Sequence, residues 1–256
     1  MSVDLNIKRD TSPKLIYEIF KFEISLKKKR VFLILLLGIV IVNLYGILMG
    51  FFLPSTPKEF FAVITQNYGM VIILISLFFA GGILADEFDK RTALTNFTKT
   101  GRTNFFIGKS LAALTIILVW MGPTLILFII YSTIYYQQIP IELFVWFGLS
   151  CLSGTTYTAI YLLHSAIFRS GSQAMTMAFV TFIILGTAFG LSLAFLNSPY
   201  YFPFYADMVG QTIFSGEIDS EAIQIITNMN WAVIMLLCYF IPCMLLAYLK
   251  FRKRDV

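Results

Sequence analysis

One histidine, three cysteines and a single charged island bound the chemistry open to this 256-residue chain. A hydrolytic metal centre needs two or more imidazole or thiolate ligands at fixed spacing. His164 is alone, near the inner end of an apolar run, and reads as a hydrogen-bonded helix residue. A serine hydrolase would set the same His164 beside a nucleophile on a glycine-flanked turn, and no such turn is written here. Cys151, Cys238 and Cys243 fall within apolar runs with no CxxC spacing, so they read as packing residues. Gly108-Lys109-Ser110 has the tail of a phosphate-binding loop, but Thr103 stands where its first glycine is required. Leu152-Ser153-Gly154 lies inside an apolar run and is no nucleotide signature. The sequence therefore indicates neither catalysis nor a bound metal or cofactor. A membrane-embedded enzyme, the third reading, would depend on His164.

The charged island spans residues 86–109 and holds five of the nineteen basic residues, Lys90, Arg91, Lys99, Arg102 and Lys109, together with Asp86, Glu87 and Asp89. Its middle, 91–97, suits about two helical turns with Leu94 and Phe97 on one side, and Gly101 supplies a break before Arg102. Glu87 and Arg91 at i, i+4 would stiffen the entry by about 0.2–0.5 kcal/mol if exposed. The same pair is equally an ordinary solvated ion pair at a helix end. The pattern predicts a short amphipathic helix lying beside a membrane.

The elements that hold this island are apolar. The chain is 58% hydrophobic and 13% charged, against about a quarter charged in a soluble domain. Six runs reach spanning length, at 31–53, 68–85, 110–135, 143–168, 174–196 and 231–249, and none contains Asp, Glu, Lys or Arg. With both termini cytoplasmic, eighteen of the nineteen basic residues fall inside and only Lys58 outside, as the positive-inside rule requires. The net charge of +5 thus reports topology and implies no nucleic-acid partner. The first run follows a long polar stretch and is expected to remain as a span rather than leave as a signal peptide.

Before it, Ser12-Pro13 is a helix start, and a helix over 13–30 carries Leu15, Ile19, Phe22 and Leu26 on one side with Lys14, Glu18, Lys21, Ser25 and Lys28 opposite. That describes an interfacial helix ending in the cluster 27–30, a contact for anionic lipid or for a partner protein. Gly46 with Gly50, and Gly186 with Gly190, permit close helix contacts within one subunit or between two. Pro123 and Pro242 are expected to kink the third and sixth spans. Tyr131, Tyr135, Tyr136, Trp146, Tyr200, Tyr201 and Trp231 are expected to form an interfacial aromatic belt. The segment 197–230 is too long and too apolar for an exposed return loop, so two short re-entrant helices are expected at 204–214 and 220–228. The absence of ionisable residues in the spans weighs against a proton-coupled carrier.

Six spans, inner termini, an interfacial N-terminal helix and a charged loop between spans two and three together resemble the ABC type-2 transporter permeases. Glu87 matches the family's acidic position at the end of span two, Thr92 and Leu94 stand near its Gly-Thr-Leu element, Arg102 matches its turn arginine, and Gly108-Lys109 matches its Gly-Lys before span three. Arg91 replaces the usual glycine, and Thr100-Gly101 replaces the proline-containing turn. The resemblance implies an all-α permease of one transmembrane domain, working as a dimer or with a paralogue in the plasma membrane. Its loop, with Glu87, Arg91, Thr92, Leu94, Phe97, Gly101, Arg102 and Lys109, would couple to a separate ATP-binding subunit carrying ATP and magnesium. Phe202, Phe204, Tyr205 and Phe214 would form an outer gate. Export is the expected direction, and a stand-alone carrier or channel is the alternative.

Overall fold

The computed structural model describes residues 12–26, 56–65, 68–89, 100–196, 199–214 and 228–254. The first expected span, 31–53, and the middle of the charged loop, 90–99, lie outside them, as do the basic cluster 27–30, Gly46 and Gly50, and the second outer helix expected at 220–228. All the regular elements among the described residues are helical. In chain order these are α1 (residues 13–26), α2 (Pro57–Thr65), α3 (Tyr68–Ala80), α4 (Ala85–Asp89), α5 (Arg102–Tyr136), α6 (Glu142–Ile167), α7 (Gly171–Leu191), α8 (Phe204–Thr212) and α9 (Met229–Lys253). Five stretches are long and apolar enough to cross a bilayer: α3 with α4, then α5, α6, α7 with its continuation, and α9. They coincide with the second to sixth expected spans.

Their ends differ from expectation for local reasons. The second span is not one helix: it unwinds over 81–84, at Gly81-Gly82, and restarts as α4. Backbone donors freed inside a membrane must find other acceptors. Here the Ser165 hydroxyl on α6 accepts from Leu84 N at 2.8 Å and from Ala85 N at 3.0 Å. The third span begins eight residues early, at Arg102, with Gly101 setting its start and Phe105, Phe106 and Lys109 buried in the bundle. α5 ends at Gln137, in the left-handed conformation with φ 55°, its N–H bonded to Thr133 O. Pro123 and Pro242 both lie within helices that continue on either side. α7 runs on into a π-helical turn, Ser192–Leu196.

α6 is the central element, buried along most of its length and packed against α3, α5, α7, α8 and α9. Its small positions allow this: a Cβ at Gly154 would meet Ile117 and Ile72 within 2.8 Å. Ser76 on α3 also donates to Gly154 O at 3.1 Å. α7 and α9 are peripheral, with Ile183, Ile184, Leu191, Ile241, Leu245 and Leu246 exposed. Gly186 meets the Phe204 ring, whereas Gly190 meets nothing within the described chain.

The end of the bundle opposite the charged residues is closed by α2, which sequence reasoning did not anticipate, and by α8. Phe60 and Phe61 of α2 are fully buried, Phe61 against Phe128 and Phe214. This lid changes the aromatic belt. Trp146 and Tyr131, expected to face the lipid interface, are buried instead, Trp146 against Tyr68 and Phe128. Tyr135 and Tyr201 stay exposed, and Trp231 donates to Tyr200 O at 3.1 Å.

Candidate functional site: the charged end of the bundle

The two ends of the charged loop meet three other elements at one end of the bundle. Lys109, on α5, is buried, and its ammonium contacts Glu87 Oε1 at 2.6 Å, Glu23 Oε2 at 3.0 Å and the Ile83 carbonyl at 3.2 Å. It also lies 5.1 Å from the Phe105 ring centre. One ammonium thus joins α1, α4 and α5, the last two being the entry to and exit from the loop. A fully buried ion pair returns little net energy, but breaking it strands a charge. The pairing therefore specifies geometry more than it adds stability.

Glu23 was not singled out from the sequence, and it gives α1 a contact within the bundle. The inward face of this helix is Ile19 and Glu23, whereas Phe22 and Leu26 are exposed with Tyr17. Leu15, Ile19, Phe22 and Leu26 therefore do not share one environment. The reason is Gly108, where a Cβ would come within 2.8 Å of Ile19 Cβ and Cγ2 and 3.1 Å of Ile16 O. The missing side chain lets α1 cross α5 in contact, which brings Glu23 to Lys109. The start of α1 is also fixed, since Ser12 N donates to Asn104 Oδ1 at 3.1 Å while Asn104 Nδ2 donates to Thr100 O at 2.9 Å.

Arg102 ties the loop exit to the end of α9, donating to Arg252 O at 2.7 Å and Arg254 O at 2.8 Å. Cationic donors suit the unpaired carbonyls at a helix C-terminus. Arg254 ties the entry: its guanidinium lies 3.7 Å from the Phe88 ring centre and donates to Ser165 O and Ala166 O at the end of α6. Burial, with Arg169 nearby, pulls this guanidinium down to about 10, so it remains charged at neutral pH. Gly101, the expected break, has φ 77°, a left-handed value that favours glycine.

A family model for the ABC-2 family transporter proteins matches residues 18–256. The chain belongs to that family. No individual curated protein matches the permease in sequence. Membership makes it the membrane subunit of an ABC transporter, a multi-pass protein of the plasma membrane, and implies an ATP-binding partner.

Of the expected loop residues, the permease brings Glu87, Gly101, Arg102 and Lys109 together at this end, while Arg91, Thr92, Leu94 and Phe97 lie outside the described residues. Of the expected outer residues, Phe204 packs on Tyr157, Phe182 and Phe189, and Phe202 on Phe189. Tyr205 and Phe214 are buried. His164 bonds to Ile160 O through Nδ1 and to Thr181 Oγ1 through Nε2, both at 2.8 Å. Since a carbonyl only accepts, Nδ1 carries the proton, and the ring acts as a helix-to-helix bridge. Cys151, Cys238 and Cys243 are free thiols, Cys238 exposed on α9.

Outside the spans, one further carboxyl packs against the bundle interior. Asp207, on α8, accepts from Ser153 Oγ at 2.7 Å and from Tyr157 OH at 3.5 Å, both on α6. Its signal in the sequence was faint, one acidic residue in the outer segment rather than in a span.

Proposed function

We propose that the chain is the permease of an ABC exporter, assembled with a second permease copy or a paralogue and driven by a separate subunit that binds ATP and magnesium. The loop centred on Arg91, Thr92, Leu94 and Phe97 seats on that subunit. Glu87, Arg102 and Lys109 serve it from behind, holding the loop's two ends to α1, α6 and α9 rather than reaching the partner themselves. What supports this reading is the convergence at one end of the bundle, where Lys109, Arg102 and Arg254 tie entry and exit to three other helices. A partner can move spans only through an element fixed to them. The positive-inside rule supports a cytoplasmic position for this end, and α8 with Phe202, Phe204, Tyr205 and Phe214 serves as the outer gate.

Affinity purification from native membranes tests the assignment. An ATP-hydrolysing chain is expected to co-purify with wild type and to be lost, or to hydrolyse without stimulation, with Glu87→Ala/Arg102→Ala, while the variant still inserts. Purification of wild-type permease with no ATP-binding chain would overturn it. Asp207 is the one observation that favours a stand-alone carrier, which would transport with ATP depleted and an ion gradient imposed.

A further inference from the structure

Between α3, α7 and α8 lies a cavity of about 290 Å³ lined by Met70, Ile73, Phe182, Phe189, Phe204 and Asp207, among others. Three of these residues are aromatic, and one carries a carboxyl among otherwise apolar neighbours. Two features hold Asp207 there. Gly69 lets α3 approach it, since a Cβ at that position would fall 3.1 Å from Asp207 Cβ and Cγ. Ser153 and Tyr157 occupy one site on each carboxylate oxygen, whereas a carboxylate accepts about four hydrogen bonds. Acceptor capacity therefore remains, and part of the side chain is open to the cavity.

No basic side chain pairs with Asp207 among the described residues. The titratable neighbours among the described residues are tyrosines, Tyr157 and Tyr161 from α6; α3 and α7 contribute only apolar residues and Gly69 to the cavity lining. The Tyr161 hydroxyl is buried without a hydrogen-bond partner. Burial raises the Asp207 carboxyl to about 7, against the lowering effect of the Ser153 and Tyr157 hydroxyls. α8 does not itself span, so this carboxyl sits in a wall built between spans. A carboxyl inside a protein at membrane depth is costly and marks a functional position.

Aromatic faces around a lone carboxylate are the chemistry that recognises an organic cation, the rings through their quadrupoles and the carboxylate through its charge. We infer that this cavity binds amphiphilic organic cations, a quaternary or protonated amine with an apolar body, through Asp207 and the rings of Phe182, Phe189 and Phe204. It would be the substrate contact of the exporter, and that part of the inference rests on the permease reading. The binding itself does not.

The test uses full-length permease in phosphatidylcholine nanodiscs, without an ATPase, and tritiated benzyltrimethylammonium as the probe, with neopentylbenzene as its neutral isostere. Saturable binding of the cation is expected, with the neutral compound a poor competitor. As the carboxyl loses its proton between pH 6 and pH 8, affinity should rise about tenfold. Asp207→Asn, which keeps an acceptor for Ser153, should lose about tenfold at pH 8 and show no pH dependence. Phe204→Ala should weaken binding while preserving the pH dependence. No saturable binding to wild type, equal affinity in Asp207→Asn at pH 8, or equal competition by neopentylbenzene each overturns the inference. Binding that behaves as described, with no ATP-dependent movement of the probe in vesicles, would keep the site and reject the exporter.

Discussion

Replacing Lys109 by Met keeps the length of the side chain and removes its charge. Glu87 Oε1 and Glu23 Oε2 both lie within 3.0 Å of the lost nitrogen, so two carboxylates are left under about 6 Å apart, repelling by about 3 kcal/mol at an effective dielectric of 20. The Glu23 side chain is 5% exposed and that of Glu87 17%, so little of this is screened. Breaking a buried pair from one side costs about 3–5 kcal/mol, in agreement. The detergent-solubilised variant should therefore lose on the order of 10 °C in thermal unfolding, read by size-exclusion chromatography after heating. Glu23→Gln/Lys109→Met leaves one carboxylate, that of the more exposed Glu87, and should recover about half the loss or more. A Lys109→Met protein that melts with wild type would refute the reasoning, as would a double variant no more stable than the single one.

Gly108→Leu should lift α1 off α5, because its Cβ alone already meets Ile19 at 2.8 Å; protease cleavage within 13–26 should accelerate while the spans stay inserted. Ser165→Ala removes the acceptor for Leu84 N and Ala85 N and should cost about 1–3 kcal/mol, read as lower thermal stability. Single cysteines at Thr56 and Gln138 in a cysteine-free background should label from outside intact cells, and one at Lys99 should not. Labelling at Lys99 would reverse the topology.

Much of the fold was legible because spanning helices follow from length and apolarity alone, and five expected spans recur within a few residues at most ends. The early start of α5 was not, because Arg102–Lys109 reads as polar loop while Phe105, Phe106 and Lys109 are buried in the bundle. The face of α1 was missed for a different reason. Glu23 was assigned to neither face of the 13–30 pattern, and only the crossing at Gly108, set by tertiary packing, brings it to Lys109. Glu87, Gly101, Arg102 and Lys109 meet at one end of the bundle, but the partners Glu23, Ser165 and Arg254 lie far off in sequence and carry no motif. Asp207 escaped because spans alone were searched for charge, whereas α8 packs the carboxyl against Ser153 and Tyr157 of α6.

The bonds from Arg102 also impose an order on biogenesis. Their acceptors, the carbonyls of Arg252 and Arg254, are 150 and 152 residues downstream, and Arg254 itself closes on Phe88. During synthesis the loop's ends can meet each other and α1 through Lys109 early, but the ties from Arg102 and Arg254 wait until α9 has entered the membrane. A ribosome stalled before that helix leaves a nascent permease whose loop cannot hold its finished shape. An ATP-binding subunit that selects that shape would then join only to chains already carried through to their last described helix, so assembly itself would act as a check on completeness.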